Sequence, residues 1–241
     1  MAQQKTNTGI QQHKVVSHEE WLSARKAFLG KEKEFTRLRD ALSKERRELP
    51  WEKVEKNFVF EGPKGKETLS ELFEGKSQLI AYHFMFGPDW EAGCSSCSFW
   101  ADNFNGIDIH LKHRDTTFVA ISHAPFEKLK AYKQRMGWSF NWLSSFGNDF
   151  NYEYKVSYTE DEVAQGGYYN YENCKPHGTE EVGISVFYKD EKGELFHTYS
   201  CYSRGVDMLN GAYNYIDLTP KGRNEAKGQE HWVRRHDEYV D

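Results

Sequence analysis

Ser77 to Trp100 reads SQLIAYHFMFGPDWEAGCSSCSFW. Its first ten residues are almost unbroken in apolar and aromatic side chains, as in a central strand buried on both faces. Its second half sets Cys94 and Cys97 in a C-x-x-C directly after a glycine. A pair at that spacing is a redox dithiol, half of a metal site, or two thiols of no special role.

The flanking segments predict an α/β fold. KNFVFEG (56–62) reads as a short strand, and the turn EGPKG leads into ETLSELF (67–73), a short helix. SFWADNFNGIDIHLKH (98–113) has helical spacing weakened by Gly106. DTTFVAISHA (115–124) is β-rich, and Pro125 opens the helix FEKLKAYKQRM. GISVFYKDEKGELFHTYSCYS (183–203) reads as a hairpin, and VDMLNGAYNYIDL (206–218) as a last helix. Strand, helix, strand, helix, hairpin, helix implies a mixed central sheet with a parallel middle. A C-x-x-C just past the first central strand of that order is the thioredoxin-like pattern.

Upstream, residues 17–48 predict one long helix. Ser17 and Glu20 have capping-box spacing. Trp21, Phe28, Phe35 and Leu42 recur every seven residues, and Pro50 ends the segment. Such a stripe calls for packing on the body or on a second copy of the chain. The resulting division is a tail and amphipathic helical arm over 1–50, a main domain over 51–220, and a charged tail over 221–241, expected to be frayed. The main domain contains an aromatic-rich insertion around 140–180, whose rings are expected to wall a cleft.

The 241 residues include 38% hydrophobic and 15% aromatic side chains, enough for a substantial core. Residues 1–50 carry eleven Lys and Arg against seven Asp and Glu, a net +4 that leaves −9 for the rest of a chain with net charge −5. An acidic body argues against nucleic acid as partner. No run approaches the ~18 apolar residues of a membrane span, and MAQQKTNTGIQQHK lacks a signal peptide's apolar stretch. A cytoplasmic location without a membrane partner is the expectation. There, four cysteines make a poor disulfide framework.

If Cys94 opens a helix, unpaired backbone N–H groups and the helix dipole favour its thiolate. Cys97, one turn on, then resolves the mixed disulfide. His83, Trp90, Glu91 and Arg204 are candidate supporting residues: proton carriers, a loop aromatic and an anion-holding cation. Cys174 and His177 in CKPH allow a competing Cys3His zinc site with Cys94 and Cys97. A nucleotide fingerprint is lacking, so no cofactor is expected.

The blocks HKVVSHEEWLSARKAFLGKEKEFTRLRD, RELPWEKVEKNFVFEGPKG, YHFMFGPDWEAGCSSCSFWADNF, RMGWSFNWLSSFGNDFNYEY and DMLNGAYNYIDLTPKGR resemble a mainly bacterial family of thioredoxin-like proteins, domain of unknown function eight-nine-nine. The resemblance runs from about His13 to Arg223. It implies a thioredoxin-like three-layer sandwich with a family-specific arm and insertion, and Cys94 and Cys97 as the redox pair. It names no substrate. The sequence departs from better-known relatives in four places. Gly93, not Trp, precedes the first cysteine; Ser95 and Ser96 replace Gly-Pro; Val182 and Gly183 stand where thioredoxins carry a cis-proline; and Glu91 stands where peroxiredoxins carry threonine in P-x-x-x-T-x-x-C. The expected activity is thiol–disulfide exchange on a disulfide or peroxide, with electrons from an unknown thiol donor. The competing expectation is a non-catalytic partner-binding module with zinc on its cysteines. The striped arm makes a homodimer through the N-terminal helix a further expectation.

Overall fold

The computed structural model describes residues 13–240, so the first twelve residues of the N-terminal tail and Asp241 lie outside the described residues. In chain order the elements are α1 (His18–Arg47), β1 (Glu52–Lys53), β2 (Val59–Gly62), β3 (Gly65–Thr68), β4 (Gln78–His83), α2 (Ser95–Ala101), α3 (Ile107–Lys112), β5 (Thr116–Ser122), α4 (Phe126–Arg135) and β6 (Asn141–Ser144). They continue with α5 (Phe150–Glu153), α6 (Glu160–Gln165), β7 (Gly167–Tyr169), β8 (Glu172–Cys174), β9 (Gly183–Lys189), β10 (Leu195–Tyr202), a 3-10 segment (Ser203–Leu209) and α7 (Gly211–Ile216).

Eight strands form one mixed sheet in the order β1-β10-β9-β4-β5-β6-β2-β3. The centre, β4-β5-β6, is parallel, with helices between consecutive strands. β9 pairs antiparallel with β4, and β10 with β9. This is the thioredoxin-like three-layer arrangement.

Strand alternation divides the interior. In β4, Tyr82 packs with Phe84, Trp100, Trp138 and Trp142 on the face that also holds Cys97. Leu79 and Ala81 point the other way, toward Phe60, Phe73, Phe150 and Phe187. Both faces are covered, which is why SQLIAYHFMF reads as continuously apolar.

Three local expectations are corrected. ETLSELF is not a helix: its start belongs to β3, and a single 3-10 turn, Glu71–Phe73, follows. Thr68 and Glu71 close that turn reciprocally, and Glu74 and Gly75 then take left-handed backbone (φ 49° and 80°) that no helix continues. The segment 98–113 splits into α2 and α3 at Gly106 (φ 85°). Residues 206–218 divide at Asn210, which ends the 3-10 segment and caps α7 through its side chain.

The C-terminal tail is not frayed. Val233 is buried, and the Trp232 ring packs on Phe99 and Tyr213 at 5.4 and 6.4 Å. Glu225 accepts hydrogen bonds from Tyr213 (2.6 Å) and Trp232 (3.2 Å), and Arg135 pairs with Asp237 and Glu238. Two apolar anchors within a charged stretch are enough to hold an irregular segment down. By contrast α1, with its Ser17–Glu20 capping box formed, buries none of its residues. Among the described residues the expected packing of its stripe on the body is absent.

Placing a charge at the buried tail anchor tests this docking. Val233→Asp puts a carboxylate at a position only 3% exposed and is expected to cost about 2–4 kcal/mol in urea unfolding. An unchanged midpoint would show the tail to be detached.

Candidate active site

The site begins where β4 ends. Phe84 extends the strand by donating its N–H to Ile121 (2.9 Å), and the chain then loops through Gly87–Gly93. Lys128 of α4 fastens that loop, its Nζ donating to the carbonyls of Pro88 (2.6 Å) and Trp90 (3.2 Å). Trp90, half-buried, folds back so closely on Gly87 that a Cβ there would stand 2.9 Å from its Nε1. A Cβ on Gly93 would stand 2.7 Å from the Phe84 ring and 3.0 Å from Tyr132. Glycine therefore precedes the first cysteine because rings from β4 and α4 already fill that space.

Met85 joins the strand to both cysteines. Its carbonyl accepts the Cys94 N–H at 3.1 Å, and its own N–H donates to the Cys97 sulfur at 3.4 Å. Cys94 is the N-cap of α2, and its sulfur accepts the Cys97 backbone N–H at 3.5 Å. Ser98 holds the turn from inside: its hydroxyl donates to the Cys94 carbonyl (2.7 Å) and shares a hydrogen bond with Tyr132 (2.9 Å). From the tail, the Arg235 guanidinium donates to the Gly93 carbonyl at 2.7 Å and to Tyr132 at 2.7 Å.

The two thiols are displaced in opposite directions. Cys94 is lowered to about 7, first by a hydrogen bond from the Cys97 side chain and then by the N–H groups of Cys97 and Ser96, which together outweigh burial. Cys97 is pushed well up, first by burial and then by the neighbouring Cys94. One partly exposed sulfur that ionises near neutrality thus lies beside one buried sulfur that keeps its proton.

Behind Cys97 is a cavity of about 110 Å³, lined among others by Tyr82, Met85, Val182, Arg204 and Glu230. The Tyr82 hydroxyl is buried there with no nitrogen or oxygen partner among the described residues, and burial together with the neighbouring Cys97 pushes its pKa up. Glu230 comes from the tail on left-handed backbone (φ 57°), and its charge works against the Cys94 thiolate.

The sequence candidates are placed differently from one another. Arg204 reaches the rim of this cavity, paired to Asp207 at 3.0 Å. Trp90 shapes the loop. Glu91 is exposed and borders a separate depression with Lys128 and Arg135. His83 is a correction: as the neighbour of Tyr82 on a strand it points to the opposite face, between Phe150 and Tyr154. There its Nε2 meets Ser185 (2.8 Å), in a chain that continues through Ser200 to His197. Burial lowers its pKa to about 3, so it is neutral at physiological pH.

The zinc alternative is also corrected. Cys174 lies in β8 among Val156, Tyr158, Tyr169 and Tyr202, while His177 is bound to Glu181 at 2.9 Å. Among the described residues no group of three His, Cys, Asp or Glu is placed to hold a metal ion. Cys201 donates to the Gly205 carbonyl, and burial raises its pKa. The aromatic-rich stretch starts with β6 of the main sheet, and beyond it Tyr154, Tyr168 and Tyr171, with Tyr202 and His197, line a cavity of about 510 Å³ that shares no wall residue with the cysteine cavity.

Sequence reasoning missed Tyr82, Tyr132, Glu230 and Arg235. Strand alternation offered Tyr82 as the residue in phase with the cysteine face once His83 was out of phase. The tail residues carried no local signal.

A family model described as bacterial protein of unknown function (DUF899) matches residues 10–239. No curated protein matches the chain. Similar solved structures include peroxiredoxin Q of Xanthomonas campestris (12% identity, covering 68% of this chain and 95% of that one, TM-score 0.46). Peroxidoxin BcpB of Mycobacterium tuberculosis is another (13%, 70% and 97%, TM-score 0.43). A third is a putative protein disulfide isomerase of Bacteroides thetaiotaomicron (18%, 73% and 92%, TM-score 0.37). No helix among the described residues is long and apolar enough to cross a membrane. With a match along nearly its whole length, the chain belongs to the DUF899 family of bacterial proteins of unknown function.

Proposed function

We propose that this protein is a thiol–disulfide oxidoreductase in which Cys94 attacks and Cys97 resolves. The observation that carries the reading is the opposed displacement of two thiols held by one residue, Met85. The Cys94 thiolate attacks one sulfur of a substrate disulfide, forms a mixed disulfide and expels the other sulfur as a thiolate that takes up a proton. Cys97 then loses its proton and attacks the Cys94 sulfur. The 94–97 bond forms, the mixed disulfide breaks, and the second substrate thiol leaves. Two electrons pass to the substrate, and an external dithiol or pair of thiols returns them by the reverse exchange.

Cys97 needs an exit for its proton, and the cavity behind it supplies one. Its volume admits water, and Glu230 on its wall is a carboxylate able to take the proton. Arg204 at the rim favours substrates with negative charge beside the disulfide.

Three measurements follow from these roles. Iodoacetamide should label Cys94 before Cys97, with a rate that rises through about pH 7, as the thiolate fraction requires, and levels off near pH 8. A midpoint above pH 8 would remove the nucleophile assignment. Cys94→Ser should abolish disulfide reduction and Cys97→Ser should accumulate the mixed disulfide; full activity in both variants would overturn the assignment of these two cysteines. Glu230→Gln removes a negative charge that opposes the Cys94 thiolate, so it should lower the alkylation midpoint while slowing release of the mixed disulfide. An unchanged midpoint with unchanged release would take Glu230 out of the site.

A further inference from the structure

We infer that α1 is a dimerisation helix, pairing with the same helix of a second copy as a parallel two-stranded coiled coil. Trp21, Phe28, Phe35 and Leu42 occupy one position of a seven-residue repeat, and they are 54, 55, 66 and 56% exposed. Leu49, seven residues further on, is exposed as well. A strict seven-residue period is the signature of a helix wound about another helix rather than laid on a globular surface. In heptad terms these residues are the a positions. Ala24 and Leu38 fill two d positions, and Lys31 and Glu45 the other two, polar layers that fix register at some cost in stability.

The described residues do not cover this face. α1 meets the body at its C-terminal end, where the Arg46 guanidinium lies over the Tyr199 ring at 4.8 Å, and none of its residues is buried. A complete capping box at its start supports a helix that stands away from the body.

The charges beside the stripe select a second copy and its direction. In a parallel pair each g residue faces the e residue five positions on in the other helix. That sets Glu20 against Arg25 of the partner subunit, and Glu34 against Arg39 of the partner subunit. Ala27 and Ala41 occupy the remaining g positions within the helix, so no like-charged pair arises between g and e positions. By symmetry there are four attractive contacts. Glu34 and Arg39 make no ion pair within their own chain among the described residues, whereas Arg25 pairs with Glu32 at 2.8 Å and Glu20 with Lys14 at 3.7 Å, so the pair Glu34 and Arg39 carries the charge argument. An antiparallel pair would place e against e, and three of the four e residues, Arg25, Arg39 and Arg46, are basic.

The exposed apolar surface of the stripe is roughly 600 Å² per copy on ordinary side-chain areas. Flanking residues bring it near the ~800 Å² per partner of a stable interface. The 30-residue helix is about 45 Å long, enough for four heptads.

Sedimentation equilibrium on the full chain at micromolar concentration should give twice the chain mass. Phe28→Glu with Phe35→Glu should give the monomer while leaving the Cys94 alkylation profile unchanged, since both positions are exposed and neither lines the cysteine cavity. Glu34→Lys should weaken the dimer at least tenfold, and adding Arg39→Glu to the same chain should restore it. Ala24→Cys should cross-link to its own counterpart under mild oxidation, mapped by mass spectrometry. A monomeric wild-type chain, or a dimer that survives the double Phe substitution, would overturn the assignment. Failure of the 24–24 cross-link, or of the charge restoration, would overturn the parallel register.

Discussion

Met85 spends both of its backbone groups on the cysteine pair, accepting from Cys94 and donating to Cys97. Those two hydrogen bonds couple the end of the central strand to the start of α2. They turn a sequence spacing into a fixed geometry in which the helix begins at Cys94 and Cys97 sits one turn deeper, against Tyr82 and Trp100. The helix start supplies N–H groups to the outer sulfur, whereas the aromatic core desolvates the inner one. Each effect is ordinary; applied to adjacent thiols, they separate the pair into a thiolate and a thiol.

The surroundings maintain that division. Glycine at positions 87 and 93 lets Trp90, Phe84 and Tyr132 close around the loop, where any side chain would collide. Ser98 and Arg235 reach the backbone on either side of the Cys94 amide, from within the helix and from the tail. The tail thus belongs to the site in two ways, holding Gly93 in place and setting Glu230 on the cavity wall. Charge within reach of the sulfurs is mixed, with Arg204 and Glu230 on the same cavity, so the low Cys94 pKa rests on hydrogen bonds rather than on a nearby cation.

The centre of the fold was legible because its signals are local and periodic. Continuous hydrophobicity marked β4, alternation marked the β9–β10 hairpin, and Ser17 with Glu20 marked the start of α1. The position of Cys94 at a helix N-terminus followed from the glycine and the strand before it. What could not be read depends on contacts distant in sequence. Arg235 and Glu230 lie in a charged stretch whose anchor Trp232 has meaning only against Phe99 and Tyr213. His83 looked favourable by nearness to the cysteines along the chain, yet a one-residue step on a strand reverses the face. Cys174 and His177 had metal-like spacing, but β8 carries Cys174 into a separate cluster of tyrosines.

The central claim is that Cys94 and Cys97 form a single two-electron couple, and a thiol redox titration with metal analysis of the same sample tests it most directly. The account predicts one transition of two electrons, the loss of two free thiols, a mapped bond between residues 94 and 97, and no stoichiometric metal. Thiols that stay reduced across the physiological range of potentials, a bond to Cys174 or Cys201 instead, or one bound metal ion per chain would contradict it.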